Sequence, residues 1–298
     1  MNSNLATVRC SCLGRSVALF IVIVAGVSSM SAQAPASTPT PQPSPTPSLE
    51  KRFFKNILQD QRAIWTSPFQ LRRGDAKWLA PLGLMTAALY TTDRYTARAL
   101  HDNRTQLNVS HDIAAVGSGY GSGGIAAAFY LYGRARNNPR ARETGLLGSE
   151  ALIDSGIVAL VLKNSTQRPR PRAKDREGEF FEGGRSFPSG HSIAAWSLAT
   201  VIAQEYRDRP LVRVGAYGLA TAVSISRYTG RNHFLSDALV GSVIGYGIGR
   251  YVYFKHHDPN LDGQKQTTLT PRSKLLPLVT PSYNRRAREY GLLLTWDF

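Results

Sequence analysis

Cysteine is almost missing from this chain: Cys10 and Cys12 are the only two in 298 residues, and both precede the first apolar run. A disulfide framework, a cysteine-ligated zinc site and thiol catalysis are therefore excluded from the body of the protein. Acidic residues are also scarce, 20 Asp and Glu against 36 Lys and Arg, which leaves a formal net charge of +16. That excess points to anionic partners: nucleic acid, an acidic membrane surface or phosphorylated substrates. Long uncharged runs are few. Trp78 to Thr92, Ser192 to Gln204 and Val214 to Ser226 all fall short of the roughly 20 residues a membrane span needs. The longest run, Ile113 to Gly133, carries Gly117, Gly119, Gly121, Gly123 and Gly124, a composition that suits close helix packing or a break better than a lipid-facing span. The reading leans to a soluble or peripheral body over an integral one. No β alternation is found before residue 270.

What is present begins with an export signal. Arg9 and Arg15 precede the apolar run Val17 to Val27, and small residues follow, ending in Ala32-Gln33-Ala34, so residues 1–34 read as a signal peptide; an uncleaved anchor is the alternative. Either form places the body outside the cytoplasm, in a bacterial periplasm or on the periplasmic face of a membrane. Proline recurs from Pro35 to Pro47, and because it fixes φ and removes backbone donors, residues 35–48 are an extended linker. From there to residue 258 the apolar periodicity predicts an all-α domain. About six core helices are expected near 76–100, 111–135, 144–163, 190–206, 211–226 and 234–254, with a shorter amphipathic segment at 50–63. In the tail, 259–298, Leu292, Leu294, Trp296 and Phe298 alternate after a basic turn at Asn284-Arg285-Arg286, which predicts a short C-terminal β-hairpin.

Three separated segments hold most of the polar residues that stand out from this apolar background. In the first, an apolar helix ends at Lys163 and runs into Gln167-Arg168-Pro169-Arg170-Pro171. Two prolines stiffen the turn, so its guanidinium groups can bind phosphate oxygens with little loss of entropy, while Lys163 adds a point charge. In the second, Pro188-Ser189-Gly190-His191 opens a helix. Ser189 is placed to cap it, Gly190 lets an anion approach free backbone N–H groups, and His191 can exchange a proton near neutral pH. In the third, Ser226 to Asp237, His233 and Asp237 are four residues apart at a helix start, so the carboxylate can hold one imidazole nitrogen and raise the basicity of the other. Each segment alone is compatible with an ordinary basic loop, a cap with an incidental histidine, or a decorated interhelical turn.

Together the segments resemble the type 2 phosphatidic acid phosphatase and vanadium haloperoxidase superfamily, whose motifs read K-x6-R-P, P-S-G-H and S-R-x5-H-x3-D. All three stand complete and in order, across about residues 75–254: Lys163 with Arg170-Pro171, Pro188 to His191, and Ser226-Arg227 with His233 and Asp237. The resemblance implies a phosphatase acting on a phosphorylated lipid or a small phosphoester. His233 would be the nucleophile that becomes phosphohistidine, Asp237 its support and His191 the general acid. Lys163, Arg170, Ser189, Gly190 and Arg227 would hold the phosphate oxygens. Arg168 also precedes a proline and could exchange roles with Arg170, although the six-residue spacing favours Arg170. No metal or other cofactor is implied, and vanadate is expected to occupy the phosphate site. His256-His257-Asp258 reads as a solvated tail rather than a ligand set.

Two other functions compete. A vanadium-dependent haloperoxidase would use the same pocket, with His233 on the metal, but the compact body favours the phosphatase. A basic module without catalysis, built on Arg134, Arg136, Arg140 and Arg142, could bind an anionic membrane. Nucleic acid is not expected, because the patch has no interleaved aromatics to stack on bases.

Overall fold

The computed structural model describes residues 49–100, 103–172, 178–259, 261, 278–284 and 289–295. The expected signal peptide and linker, and Trp296 and Phe298 of the tail, lie outside them. Among the described residues eight α-helices run in order: α1 Leu49–Thr66, α2 Ala76–Ala99, α3 Arg104–Val116, α4 Gly119–Ala135, α5 Pro139–Thr166, α6 Gly190–Glu205, α7 Pro210–Thr229 and α8 Leu235–His256. Short 3-10 turns at Ser67–Gln70 and Arg73–Asp75 join α1 to α2. Local chemistry sets most of the boundaries. Asn103, Ser118, Asn138 and Ser189 each accept a backbone N–H of the helix they open, and proline occupies the first position of α5 and α7.

One expected helix is two. The stretch predicted at 111–135 is broken where Gly117 ends α3 and the Ser118 hydroxyl accepts the Gly121 N–H to start α4. Tertiary packing holds the break in place. A Cβ at Gly117 would lie 2.3 Å from Val223 Cγ1 and 3.1 Å from the His191 carbonyl, so the turn is pressed against α7 and the start of α6.

Helix α6 is central and packs against α5, α7 and α8. Leu147, Ala151 and Val158 of α5 meet Ile193 and Val201 of α6 and Ile248, Val252 and Tyr253 of α8 in one buried cluster; Ala195, Ala199, Ala220 and Val223 form a second between α6 and α7. Gly241, Gly245 and Gly249 recur every fourth residue along α8, on one face of the helix. A Cβ on them would stand 2.7, 2.3 and 2.3 Å from the carbonyls of Ser189, Ile193 and Ser197. This glycine ridge lets α8 lie directly on the backbone of α6, which brings the first turns of the two helices side by side.

The surface is unusually apolar in places. Trp78, Leu84, Leu131, Leu211, Val214 and Phe254 are all more than half exposed. Helix α5 is long and apolar enough to cross a membrane by length and composition, although half of its apolar window is buried in the fold. The hairpin expected in the tail is present: β1 Leu278–Asn284 pairs antiparallel with β2 Glu289–Thr295, in a register that sets Leu278 opposite Thr295 and Asn284 opposite Glu289.

Candidate active site

The site assembles where α5 ends and α6 and α8 begin. Residues 180–188 run back along the end of α5, tied to it by hydrogen bonds from the N–H groups of Phe181, Gly184 and Ser186 to the carbonyls of Thr166, Gln167 and Arg168. This strap delivers the Ser186 carbonyl to His233. The turn after α7 is closed by bonds from the N–H groups of Asn232 and His233 to the Arg227 carbonyl, so Arg227 and His233 leave the same turn together.

His233 is 2 % exposed, and its Nδ1 lies 2.7 Å from the Ser186 carbonyl oxygen. A carbonyl only accepts, so Nδ1 carries the hydrogen and Nε2 keeps its lone pair. Asp237 Oδ2 stands 3.7 Å from Nδ1, within reach of its charge but beyond hydrogen-bond length. The four-residue spacing thus brings the two charges into ion-pair range, but the hydrogen bond on Nδ1 goes to the Ser186 carbonyl instead. His233 sits in the turn ahead of α8 rather than on it, and the strap carbonyl is what holds the ring.

Asp237 is held firmly in turn. Its Oδ2 accepts from the Ser186 hydroxyl at 2.5 Å and from the Phe234 N–H at 3.0 Å, and its Oδ1 accepts from Arg168 Nη1 at 2.5 Å. Burial alone would raise this carboxyl, but the His233 ring, the Arg168 guanidinium and the Ser186 hydroxyl outweigh it and hold Asp237 below the usual carboxylate range. Arg168 is itself fully buried. It donates to Gly178 O at 2.6 Å, Ser236 Oγ at 2.9 Å and Asp93 Oδ2 at 2.9 Å, with Cζ 4.2 Å from the centre of the Phe234 ring. Asp93, from α2, also accepts from the N–H and hydroxyl of Ser236. Arg168 is therefore committed to two buried carboxylates and is not available to exchange roles with Arg170.

Around His233 the field is positive. Lys163 donates to the Arg185 carbonyl at 2.9 Å; burial first, then the charges of Arg170, Arg185 and Arg227, outweigh Asp237 and lower it to about 8. Arg227 is 7 % exposed, its Nε has no hydrogen-bond partner, and burial followed by Arg170 and Arg172 brings it to about 10. His191 falls to about 4 through burial, then through Arg227, His233, Lys163 and Arg170, and burial drives His233 to about 4 as well. Charge coupling among Lys163, Arg170, His191, Arg227 and His233 places them near one another. Arg170 is exposed at its edge. Ser189 is fully buried as the α6 cap, and its own N–H bonds to the Asp237 carbonyl at 3.1 Å. A cavity of about 450 Å³ opens beside His191 and Gly190, lined by Gly117, Leu152, Ile153 and Ala159 among others. An apolar cleft of about 480 Å³ lies behind the Arg168 network, under Leu79, Tyr90 and Phe180, and reaches none of the phosphate-motif cations.

The structure brings together all eight residues singled out from the sequence: Lys163, Arg170, Ser189, Gly190, His191, Arg227, His233 and Asp237. It adds Asp93, Ser186, Arg172 and Arg185, for which no spacing signal exists. Arg231, buried with φ of +55°, supports the turn. One expectation fails outside the site. His256 and His257 are not a solvated tail: His256 lies against buried Asp60, and His257 lies between buried Glu143 and Glu205. The basic patch is partly spent internally, since Arg140 pairs with Asp208 and the Glu205 carbonyl and lies over the Tyr206 ring, and Arg142 is 3.7 Å from Glu50.

Residues 144–260 match the family model described as the PAP2 superfamily. A lipid A 1-phosphatase of Porphyromonas gingivalis is 37% identical over 70 residues, covering 23% of this chain and 16% of that protein. A PA-phosphatase related-family protein of Dictyostelium discoideum is 34% identical over 148 residues, covering 44% of this chain and 54% of its own length. The chain thus spans about half or less of these relatives. Among solved structures, a transmembrane PAP2 type phosphatidylglycerolphosphate phosphatase from Bacillus subtilis superposes with a TM-score of 0.45 at 22% identity, over 65% of this chain and 98% of that one.

Proposed function

We propose, from the premise that this chain carries a PAP2 superfamily domain over residues 144–260, that the protein is a phosphatase working through a phosphohistidine on His233. The observation that carries this reading is the 2.7 Å bond between His233 Nδ1 and the Ser186 carbonyl, which leaves Nε2 unprotonated in the field of Lys163 and Arg227. In the first step Nε2 attacks phosphorus, a P–N bond forms and the P–O bond to the leaving group breaks; His191 gives that oxygen its proton. In the second step His191 takes a proton from water, the water oxygen attacks phosphorus, and the P–N bond breaks to release phosphate. Phosphoryl transfer asks for positioning and charge stabilisation, and Lys163, Arg170, Arg227 and the N–H groups opening α6 supply both. Their charges need no metal partner in this scheme. Asp237, through its charge and through Ser186, stabilises the ring as it becomes cationic.

His191 is neutral in the empty pocket at pH 7, because burial and surrounding cations lower it to about 4. A bound phosphate dianion reverses the sign of that field and raises its affinity for a proton, so the substrate itself arms the acid. The substrate class is a phosphorylated lipid. The cavity beside His191 is walled mainly by glycine, alanine, leucine and isoleucine, with Ser149 and Ser155 among them, and exposed Trp78, Leu84, Leu211 and Val214 suit attachment to a lipid surface. The phosphatase names of the curated relatives support this reading over a haloperoxidase. The export signal read from residues 1–34 would place the reaction outside the cytoplasm.

The test is phosphate release from phosphatidic acid in mixed micelles and from a soluble phosphomonoester, with and without chelator, followed by rapid quench into alkali. Wild type should release phosphate without added metal and yield an alkali-stable, acid-labile phosphoprotein that His233→Ala lacks. Vanadate should inhibit. Unchanged phosphate release by His233→Ala would overturn the proposal, as would halide oxidation on adding vanadate and peroxide.

A further inference from the structure

At the far end of α8 from the proposed phosphate pocket, side chains of three helices converge in a buried space. Asp60 of α1 and Asp154 of α5 are fully buried, and Glu150 of α5 is 1 % exposed. His256, the last residue of α8, places Nε2 2.9 Å from both oxygens of Asp60. One ligand atom from each of Asp60, Glu150 and His256 lies within 4.8 Å of the others. Asn56 donates to Glu150 Oε1 at 2.9 Å and Gln61 donates to Asp154 Oδ1 at 2.8 Å, yet Glu150 Oε2 and Asp154 Oδ2 are buried without any hydrogen-bond partner. Buried polar atoms are almost always satisfied, and two orphaned carboxylate oxygens beside a third carboxylate mark a missing positive partner.

We propose that Asp60, Glu150 and His256, with Asp154 at their edge, bind one divalent transition-metal ion of the Zn²⁺ or Mn²⁺ class. The donor set of carboxylate oxygens and one imidazole nitrogen suits such ions. Metal–ligand bonds of about 2.1 Å put neighbouring ligands about 3–4 Å apart; the separations here, from 2.9 Å between His256 and Asp60 to no more than 4.8 Å across the set, need only small adjustment. The neighbouring group differs in its contacts: the His257 ring lies 3.1 Å from Glu143 and 3.4 Å from Glu205, and Glu143 Oε1 also accepts the Asp258 N–H at 2.7 Å.

The ion is too remote for catalysis. Nineteen helical residues separate Asp237 from His256, about 28 Å at 1.5 Å per residue. Its effect is to clamp α1, which touches the core through Ile64, onto α5 and α8. The experiment is isothermal titration of the chelator-treated full chain with Zn²⁺ and, separately, Mn²⁺, with metal content measured after dialysis and thermal unfolding followed in parallel. Wild type should take up one equivalent more than Asp60→Asn and Glu150→Gln, each tested singly so that one folded variant suffices, whereas Glu143→Gln should bind like wild type. A saturating ion should raise the Tm of wild type by about 5–10 °C and leave that of Glu150→Gln unmoved. Equal metal uptake by wild type and Glu150→Gln, or a wild-type Tm insensitive to both ions and to chelator, would overturn the site.

Discussion

Replacing Arg168 with methionine separates two roles that its position in Arg168-Pro169-Arg170-Pro171 leaves open. The guanidinium is fully buried and bonds to Asp93 and Asp237, which are 1 % and 0 % exposed. Methionine fills much of the volume but leaves both carboxylates without their cation, a change that costs about 3–5 kcal/mol for a buried pair broken from one side. At about 2–4 °C per kcal/mol for a chain of this size, Tm should fall by roughly 6–20 °C. The double variant Arg168→Met with Asp93→Asn removes one orphaned charge as well. It should recover part of the loss, with a coupling of about 1–3 kcal/mol in a double-mutant cycle. In steady-state assays kcat should fall at least tenfold, because Asp237 loses the donor at Oδ1, while KM stays near the wild-type value, because Arg168 does not face the phosphate. A raised KM with intact kcat would refute this reasoning and return Arg168 to the phosphate ligands.

Three further outcomes follow from the same geometry. Ser186→Ala removes the hydroxyl that donates to Asp237 but keeps the carbonyl that holds His233, so kcat should drop by about 10–100-fold, the worth of one hydrogen bond to a charge, whereas His233→Ala abolishes turnover; stopped-assay rates distinguish the two. Gly245→Ala drives a Cβ to 2.3 Å from the Ile193 carbonyl and forces α8 off α6, which should cost about 1–3 kcal/mol in denaturant unfolding and lower kcat by shifting Asp237 relative to Ser189. Stability should also decline as pH falls from about 6.5 toward 4, because His191 and His233 are depressed to about 4 in the fold, so over that window the unfolded chain binds protons that the folded one refuses. Inorganic phosphate should reduce that decline, and a His191→Ala, His233→Ala double variant should flatten it in Tm measured against pH.

The sequence by itself determined the helical class and singled out the groups proposed to react. Apolar periodicity is a local property, and Lys163 with Arg170, Ser189 to His191, and Arg227 with His233 and Asp237 each occupy a dozen residues or fewer, where spacing carries the chemistry. What the tertiary structure alone decided are the relations across long separations. Spacing paired His233 with Asp237, but a carbonyl 47 residues away holds the ring, because the strap along the end of α5 reaches it first. Arg168 and Arg170 look alike in their turn and diverge only because Asp93, 75 residues upstream, waits at the buried one. His256 reads as part of a polar tail until Asp60, 196 residues away, is packed against it. Burial decides these cases: a charge taken out of water must find a partner wherever the fold provides one, and no local pattern says where that is.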